Sequence, residues 1–341
     1  MGLFLRTSGQ AGLAAQPLAS MCVVWHTSDS GSDTLVPDVH VRLQVLQSAA
    51  EGTGVAEYWA SDARVQAVHH GMAVCQHDGE WMWVVIDTAV ADAADIATAT
   101  RRGYDALFAA MQREGFPHLV RCWNYVPHIN ADQVDAVSGE RMERYRLFNR
   151  ARQEAFQAAR QAFEVGAPAA CALGSHEGGF TLYALAARQA PRCIENPRQV
   201  SAYNYPPQYG PRSPSFSRAA VVERSAGDSL LFVSGTASIV GHESLHPGDV
   251  EAQTEESLRN IRAVVLQANA TQAGSARFDM SRLQYKTFVR HPHDAAAVEA
   301  VMRSELGADA SIHFLLADVC RAELLVEIEA VGTAAAGTGE A

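Results

Sequence analysis

The chain has 341 residues, 48% hydrophobic and 19% charged, the balance of a globular protein of roughly two domains. Its formal net charge of −11 argues against nucleic acid or an anionic membrane surface as a partner. The sequence contains no membrane-spanning apolar run, no recognisable signal peptide and no C-x-x-C pair among its six cysteines, so we expect a cytoplasmic protein with reduced thiols.

Strands and helices alternate through the first half of the chain. A turn-forming Asp78-Gly79 pair separates two of the strands, and a loop is predicted at 28–33. Helices are predicted at 96–113 and 140–163 from apolar residues that recur at helical spacing. The predicted strands are 22–25, 39–46, 65–75, 81–86, 119–125, 169–173 and 180–186.

The second half repeats this order of elements. Asp249 has the position of a helix N-cap before an apolar helical stripe, and a second helix is predicted at 295–306. The predicted strands are 221–223, 230–233, 283–289, 312–316 and 324–329. Both halves therefore read β-β-α-β-α-β-β, an internal repeat of α+β class. We expect domains at 1–190 and 191–331, followed by a flexible tail at 332–341.

The two halves are joined by the proline-rich segment, residues 195–219. It reads ENPRQVSAYNYPPQYGPRSPSFSRA, with five prolines, three tyrosines and three arginines, so it cannot be a core helix or a central strand. Such a stiff backbone would present Tyr205, Tyr209, Arg212 and Arg218, and arginine binds carboxylates through paired hydrogen bonds. The alternative is an ordinary linker between domains.

The second half resembles the RidA (YjgF) family over residues 205–331. The matching features are Tyr209-Gly210-Pro211, Ser234-Gly235, Asp249 with Gln253, Leu258-x-Asn260 and Val326-Glu327-Ile328-Glu329-Ala330. The resemblance implies two RidA/YjgF-like (chorismate-mutase-like) repeats, each a mixed sheet backed by two helices. Deaminases of that family carry an arginine near the penultimate strand, where this chain reads Asp309-Ala310-Ser311-Ile312.

Most of the chain also resembles the chorismatase family, enzymes that remove pyruvate from chorismate. The resemblance rests on the proline-rich segment, on Trp123-Asn124-Tyr125 and on the Phe148-x-x-x-Arg152 pair. It implies a cofactor-free enzyme whose partner is the small molecule chorismate. It also implies that Asn124 and Arg152 contact substrate, although Asn124 could equally end an ordinary strand.

Glu327 is the leading catalytic candidate. Leu324, Val326 and Ile328 alternate with Glu327 and Glu329, which places both carboxylates on one face of a strand. An ordinary half-solvated strand would show the same pattern. The family resemblance matches Glu327 to a catalytic glutamate that would protonate the enolpyruvyl methylene, and burial would keep such an acid neutral.

Chorismate carries two carboxylates and so requires at least two cationic anchors. Arg152 falls within the apolar stripe of its helix, where a guanidinium is costly unless it is paired. It could bind substrate, or it could form an internal ion pair. Arg212 and Arg218 are the other candidate anchors.

The product is indicated by the resemblance alone. In chorismatases, a small residue near Gly235 and a cysteine near Cys320 accompany 3-hydroxybenzoate, formed through an arene oxide, rather than a dihydroxycyclohexadiene hydrolysis product. Some relatives also form 4-hydroxybenzoate. A lone buried cysteine is otherwise a small core residue.

Other chemistries find less support in the sequence. His69, His70, Cys75 and His77 match no standard zinc spacing, so no metal site is predicted. Two rival functions stay open, a RidA-type imine deaminase and a non-catalytic binding protein that uses the same cleft. The oligomeric state also stays open.

Overall fold

The computed structural model describes residues 3–7, 19–26, 38–41, 43–46, 55–159, 166–224, 228–272 and 276–334. The strands are β1 Leu3–Thr7, β2 Ala19–His26, β3 Asp38–Val41, β4 Val55–Ser61, β5 Gln66–His70, β6 Ala73–His77, β7 Trp81–Asp87, β8 His118–Pro127, β9 Asp132–Val134, β10 Arg141–Glu143, β11 Ala169–Ser175, β12 Thr181–Ala187, β13 Arg192–Ile194, β14 Ala219–Glu223, β15 Ser229–Thr236, β16 Ile239–Val240, β17 Glu243–Ser244, β18 Gln284–Val289, β19 Ser311–Leu316 and β20 Val326–Thr333. The α-helices are α1 Ile96–Glu114, α2 Arg144–Ala158, α3 Val250–Ala270 and α4 Ala295–Leu306.

Two six-stranded sheets have the same topology. The strand order is β11-β8-β12-β7-β6-β5 in the first sheet and β19-β18-β20-β15-β14-β13 in the second. In each sheet the outermost pair, β11 with β8 or β19 with β18, is parallel, and the remaining neighbours are antiparallel. The α+β class and the internal repeat predicted from the sequence are therefore confirmed, with one more strand at the start of each repeat.

The helices cover the outer faces of the two sheets. Apolar residues of α1 and α2 pack on the first sheet, and those of α3 and α4 pack on the second. The inner faces share a separate core, in which the rings of Trp83 and Trp123 stack at 5.5 Å and Trp59 lies 5.9 Å from Phe232. Side chains that alternate along one strand therefore point either to the helices or to this inner core.

The N-terminal residues form a third sheet that the sequence did not predict as a unit. Its order is β1-β4-β2-β3, and only β2 and β3 correspond to predicted strands. Leu3 pairs with Ser61 in this sheet, a separation in sequence over which local patterns carry no information. The loop predicted at 28–33 lies outside the described residues.

Several predicted boundaries are corrected by local geometry. The single strand predicted at 65–75 is a hairpin, β5 and β6, which turns at Gly71 with φ of 62°. Helix α2 begins at Arg144 rather than at 140, because β10 pairs with β9 immediately before it. Strand β20 continues through Thr333, into the predicted tail, and residues 335–341 lie outside the described part.

Other predictions agree closely with the structure. Asp249 caps α3 by accepting a hydrogen bond from the Ala252 amide at 3.0 Å. Helix α4 has the predicted bounds, because Ala and Val at its start and Leu306 at its end follow helical spacing. None of the helices in the described ranges combines the length and apolar character needed to cross a bilayer.

Candidate active site

A cavity lies where residues from both sheets, α2 and the proline-rich segment converge. Seven of the nine residues predicted for the site line this cavity; Tyr209 and Arg212 do not. The lining residues are Asn124, Tyr145, Phe148, Asn149, Arg152, Ala170, Cys171, Ala172, Gln199, Tyr205, Pro214, Ser215, Phe216, Arg218, Gly235, Ala237, Ile239, Cys320, Arg321 and Glu327.

Glu327 reaches the cavity from the middle of the second sheet. Its neighbours Val326 and Ile328 point to the core beneath α3 and α4, so the alternation of β20 turns Glu327 and Glu329 to the inner face. The Glu327 side chain is only 4% exposed. Burial raises the pKa of Glu327 to about 8, the nearby Glu329 carboxylate adds to this increase, and Arg121 partly opposes it.

The Glu327 carboxyl occupies the space that a side chain at position 235 would need. A Cβ built on Gly235 would lie 1.9 Å from Glu327 Oε1 and 3.0 Å from the Cys171 Cβ. Gly235 lies where the pairing of β15 with β20 shifts register, between Val233 and Thr236. The glycine therefore makes room for the carboxyl itself.

Arg152 has no carboxylate partner among the described residues. Its Nε donates to the Tyr104 hydroxyl at 2.6 Å and its Nη1 donates to the Ser215 carbonyl. The third nitrogen, Nη2, is buried and has no hydrogen-bond acceptor among the described residues. The described residues thus contain no ion pair at Arg152, and the residue lines the cavity with its positive charge not neutralised by a carboxylate.

Asn124 lines the cavity, but its amide is used by the protein. Its Oδ1 accepts a hydrogen bond from the Tyr104 hydroxyl at 2.7 Å, and its Nδ2 donates to the Cys171 carbonyl at 2.8 Å. Because Tyr104 in turn accepts from Arg152, Asn124 fixes the orientation of the Arg152 guanidinium. Its geometry fits this indirect role better than the predicted direct contact.

The proline-rich segment brings Tyr205 and Arg218 to the opposite side of the cavity. Arg218 Nη2 donates to the Val200 carbonyl and to the Tyr205 hydroxyl, each at 2.8 Å. Its Nε is buried and lacks a hydrogen-bond acceptor in the described ranges. The guanidinium lies 5.1 Å from the centre of the Phe216 ring, which holds its plane in place.

Arg212 is not brought to the cavity, although it belongs to the same segment. Its side chain is exposed, in the bend that follows the short helical turn Pro207–Tyr209. Tyr209 packs behind the cavity wall, with its ring 5.5 Å from that of Tyr205. The segment therefore supplies one buried arginine where the sequence predicted two.

Arg321 is a lining residue that the sequence analysis missed. Its guanidinium lies 4.0 Å from the centre of the Tyr209 ring, and its Nη1 donates to the His242 carbonyl and the Ser244 hydroxyl at 3.0 Å. No carboxylate of the described residues forms an ion pair with it. Arg321 could have been predicted from its position directly after Cys320 in the sequence, because one loop carries both residues to the cavity.

Cys320 lies in the wall close to Glu327. Burial raises the pKa of Cys320 to about 12, and the Glu327 carboxylate adds to the increase. A hydrogen bond with Tyr145 acts in the opposite direction. Cys320 is therefore a thiol, not a thiolate, at neutral pH, and can only donate or relay a proton.

Clusters of candidate metal ligands are absent from the parts of the chain that the structure describes. In the histidine-rich hairpin of β5 and β6, His70 Nε2 instead contacts Glu114 at 2.6 Å, and His77 lies 3.5 Å from the same carboxylate. These contacts tie the edge of the first sheet to the end of α1.

Comparison with known proteins places this geometry in a family. The family described as chorismatase FkbO/Hyg5-like, N-terminal, matches residues 57–186. A 3-hydroxybenzoate synthase of Streptomyces hygroscopicus is 39% identical over 296 residues, which cover 85% of each chain. A chorismatase of Streptomyces rapamycinicus is 37% identical over 296 residues, covering 85% of this chain and 86% of that one. The chain belongs to the chorismatase family.

A crystal structure of a chorismatase extends the match to the whole architecture. It has a TM-score of 0.82 and 29% identity, and the match covers 97% of this chain and 98% of the other. The fold of this chain is therefore similar to that of a chorismatase over almost its whole length.

Proposed function

We propose that this chorismatase converts chorismate to 3-hydroxybenzoate and pyruvate. The observation that carries the proposal is the pairing of a buried, neutral carboxyl, Glu327, with three cavity arginines that form no ion pair among the described residues. The relatives named 3-hydroxybenzoate synthase and chorismatase support the same substrate and product. Chorismate has the composition of 3-hydroxybenzoate plus pyruvic acid, so the reaction needs neither water nor a redox cofactor.

Glu327 supplies the proton that starts the reaction. The enolpyruvyl methylene carbon is protonated by the carboxylic acid, which leaves an electron-poor carbon next to the ether oxygen. The neighbouring ring hydroxyl then attacks the ring carbon that bears the ether, and pyruvate leaves with the electron pair of that carbon–oxygen bond. The hydroxyl proton restores the Glu327 acid, and opening of the resulting epoxide gives the phenol.

The arginines bind the two carboxylates of the substrate. Arg152, Arg218 and Arg321 all line the cavity, and none of them forms an ion pair with a carboxylate of the described residues. Such charge-assisted hydrogen bonds contribute roughly 1.5–3 kcal/mol each. They would hold the substrate ring between the proline-rich segment and Glu327.

Cys320 and Gly235 support the 3-hydroxybenzoate outcome. Gly235 leaves space in the cavity wall for the Glu327 carboxyl. The protonated Cys320 thiol would relay a proton during ring aromatisation. Because the thiol is protonated, it acts with Tyr145 as a relay and not as a free base.

The test is to incubate the purified protein with chorismate and to quantify pyruvate and the separated aromatic products. We expect equal amounts of pyruvate and 3-hydroxybenzoate, and a Glu327→Gln variant slowed about 100- to 10,000-fold. Glu299→Gln, which changes a half-buried glutamate on α4 that does not line the cavity, is the matched control and should retain full activity. Chorismate binding without pyruvate release would contradict the proposal, and so would a dihydroxycyclohexadiene product.

A further inference from the structure

A buried cluster of charges lies beside Glu327 on the inner face of the second sheet, and it is centred two residues further along β20. Glu329 is its centre: Lys286 Nζ lies 2.6 Å from Glu329 Oε1, and Arg121 Nη2 lies 2.5 Å from Oε2. Lys286 also contacts Glu57 of β4 at 2.7 Å, and the Trp123 indole donates to Glu329 at 3.0 Å. We call Glu57, Arg121, Lys286 and Glu329 the charge cluster.

Each member of the charge cluster is almost completely buried. The exposed fractions are 3% for Glu57 and Glu329, 1% for Arg121 and 8% for Lys286. Two carboxylates and two cations balance, which is the condition under which buried ions are tolerated. Lys286 is the only lysine in the chain, and its two carboxylate partners keep it an ammonium ion.

Glu329 is held as an anion by its two cationic partners. Burial alone would raise the pKa of Glu329, but Lys286 and Arg121 outweigh burial and lower it. The pKa values of the two carboxylates on the inner face of β20 are thus shifted in opposite directions. Glu329 has direct cationic partners, and Glu327 has none among the described residues. An anion two residues along the strand opposes ionisation of Glu327.

The other charged and titratable groups that face Glu327 come from every element around it. They are Cys320 in the loop before β20, Cys171 on β11, Arg121 on β8, Arg152 on α2, Arg218 in the proline-rich segment, and Arg321. The thiols are neutral, and Arg121 is neutralised by Glu329. Among the charges that shift the pKa of Glu327, Glu329 is the anion that raises it and Arg121 is the cation that lowers it.

We propose that Lys286, Arg121 and Trp123 are positioning residues that hold Glu329 as a permanent anion, and that this anion keeps the proton on Glu327 in a cavity lined with arginines. Without this anion, only burial would oppose Arg121, and Glu327 would ionise at a lower pH to the carboxylate, which cannot protonate a substrate carbon. The inference deepens the proposed function and rests on the role of Glu327 as the acid. It also gives the N-terminal sheet a part in the site, because Glu57 is the second partner of Lys286.

The experiment measures the titration of the Glu327 carboxyl directly, without substrate. Infrared difference spectra between the wild type and Glu327→Gln identify the band of the protonated carboxyl, and its loss with rising pH gives the midpoint. In Glu329→Gln we expect this midpoint to fall by about one pH unit or more. In Glu57→Gln, the matched isosteric control in the same cluster, the shift should be less than half as large, because Glu57 lies beyond Lys286.

Glu329→Asp keeps the charge and should keep the midpoint. Should Glu329→Gln fail to fold, the charge-balanced Glu329→Gln/Lys286→Met protein also lacks the anion, and its midpoint should fall in the same direction by a smaller amount, because the Lys286 cation is removed with it. The alkaline limb of kcat/KM with chorismate should move with the midpoint in each variant.

An unchanged midpoint without the Glu329 anion would overturn the inference, as would an equal shift in Glu57→Gln. These outcomes are independent of the proposed function. That function fails separately, if the wild-type protein releases no pyruvate from chorismate.

Discussion

At the scale of single residues, the site depends on how the environment of one carboxyl favours its neutral form. Glu327 is buried, has no cationic partner among the described residues and lies near the Glu329 anion. The same side chain in water would be ionised at neutral pH and could not act as an acid. Gly235 completes the arrangement, because it leaves the space that the carboxyl fills.

Glu327→Gln should stabilise the protein increasingly as pH rises from 5 to 8. The folded-state pKa of about 8 lies above the ordinary glutamate pKa of 4.5, so the wild type loses stability as pH rises through this window. The loss is at most about 1.4 kcal/mol of unfolding free energy per pH unit, and the amide avoids it. Urea unfolding of both proteins at several pH values measures the difference. A difference that is constant between pH 5 and 8 would contradict the buried neutral acid.

Gly235→Ala should lower kcat far more than it raises KM. The new methyl group would overlap the Glu327 carboxyl, so the acid must move, while the arginines that bind substrate stay in place. Displacing a catalytic group by about 1 Å commonly costs roughly tenfold to hundredfold in rate. Steady-state kinetics with chorismate measures both constants, and thermal melting checks that the variant is folded. A kcat equal to that of the wild type would show that the carboxyl does not occupy this space.

At the scale of elements, the proline-rich segment shows how burial separates residues that look alike in sequence. Arg212 and Arg218 lie six positions apart in the same polar stretch, and residue type alone made both candidates. The structure exposes Arg212 and buries Arg218 against Tyr205 and Phe216. Only the three-dimensional path of the segment decides between them.

Arg218→Met should raise KM for chorismate roughly ten- to hundredfold, since it removes a charge-assisted hydrogen bond to a substrate carboxylate. The matched Arg212→Met variant should leave KM unchanged, because its side chain does not line the cavity. Initial rates over a range of chorismate concentrations measure both. Equal effects of the two substitutions would contradict the placement of the segment.

The elements that sequence predicted well are those whose pattern is local. Helix α4, the N-cap of α3 and the alternation of β20 follow from residues within one or two turns or strand repeats. Boundaries failed where a partner from elsewhere decides them. Strand β10 shortened α2 by pairing with β9, and the turn at Gly71 divided one predicted strand into two.

At the scale of the whole molecule, the site is formed by the way two repeats meet. Glu327 and Gly235 come from the second sheet, Asn124 and Cys171 from the first, and Arg152 from α2. Sequence could predict the repeat and seven of the twenty residues that line the cavity. It could not predict the charge cluster or the N-terminal sheet, because Glu57, Arg121, Lys286 and Glu329 come from four different strands and show no pattern together.

The most direct test of the central claim is the pH dependence of kcat/KM for chorismate, which reports the ionisation of groups in the free enzyme. The arginines do not titrate near neutrality and the Cys320 thiol stays protonated, so Glu327 alone should set the alkaline limb. The account predicts a constant kcat/KM on the acid side of a midpoint near the Glu327 pKa of about 8, and a tenfold fall per pH unit above it. A kcat/KM that increases through this range would contradict it, because Glu327 would then act in its ionised form.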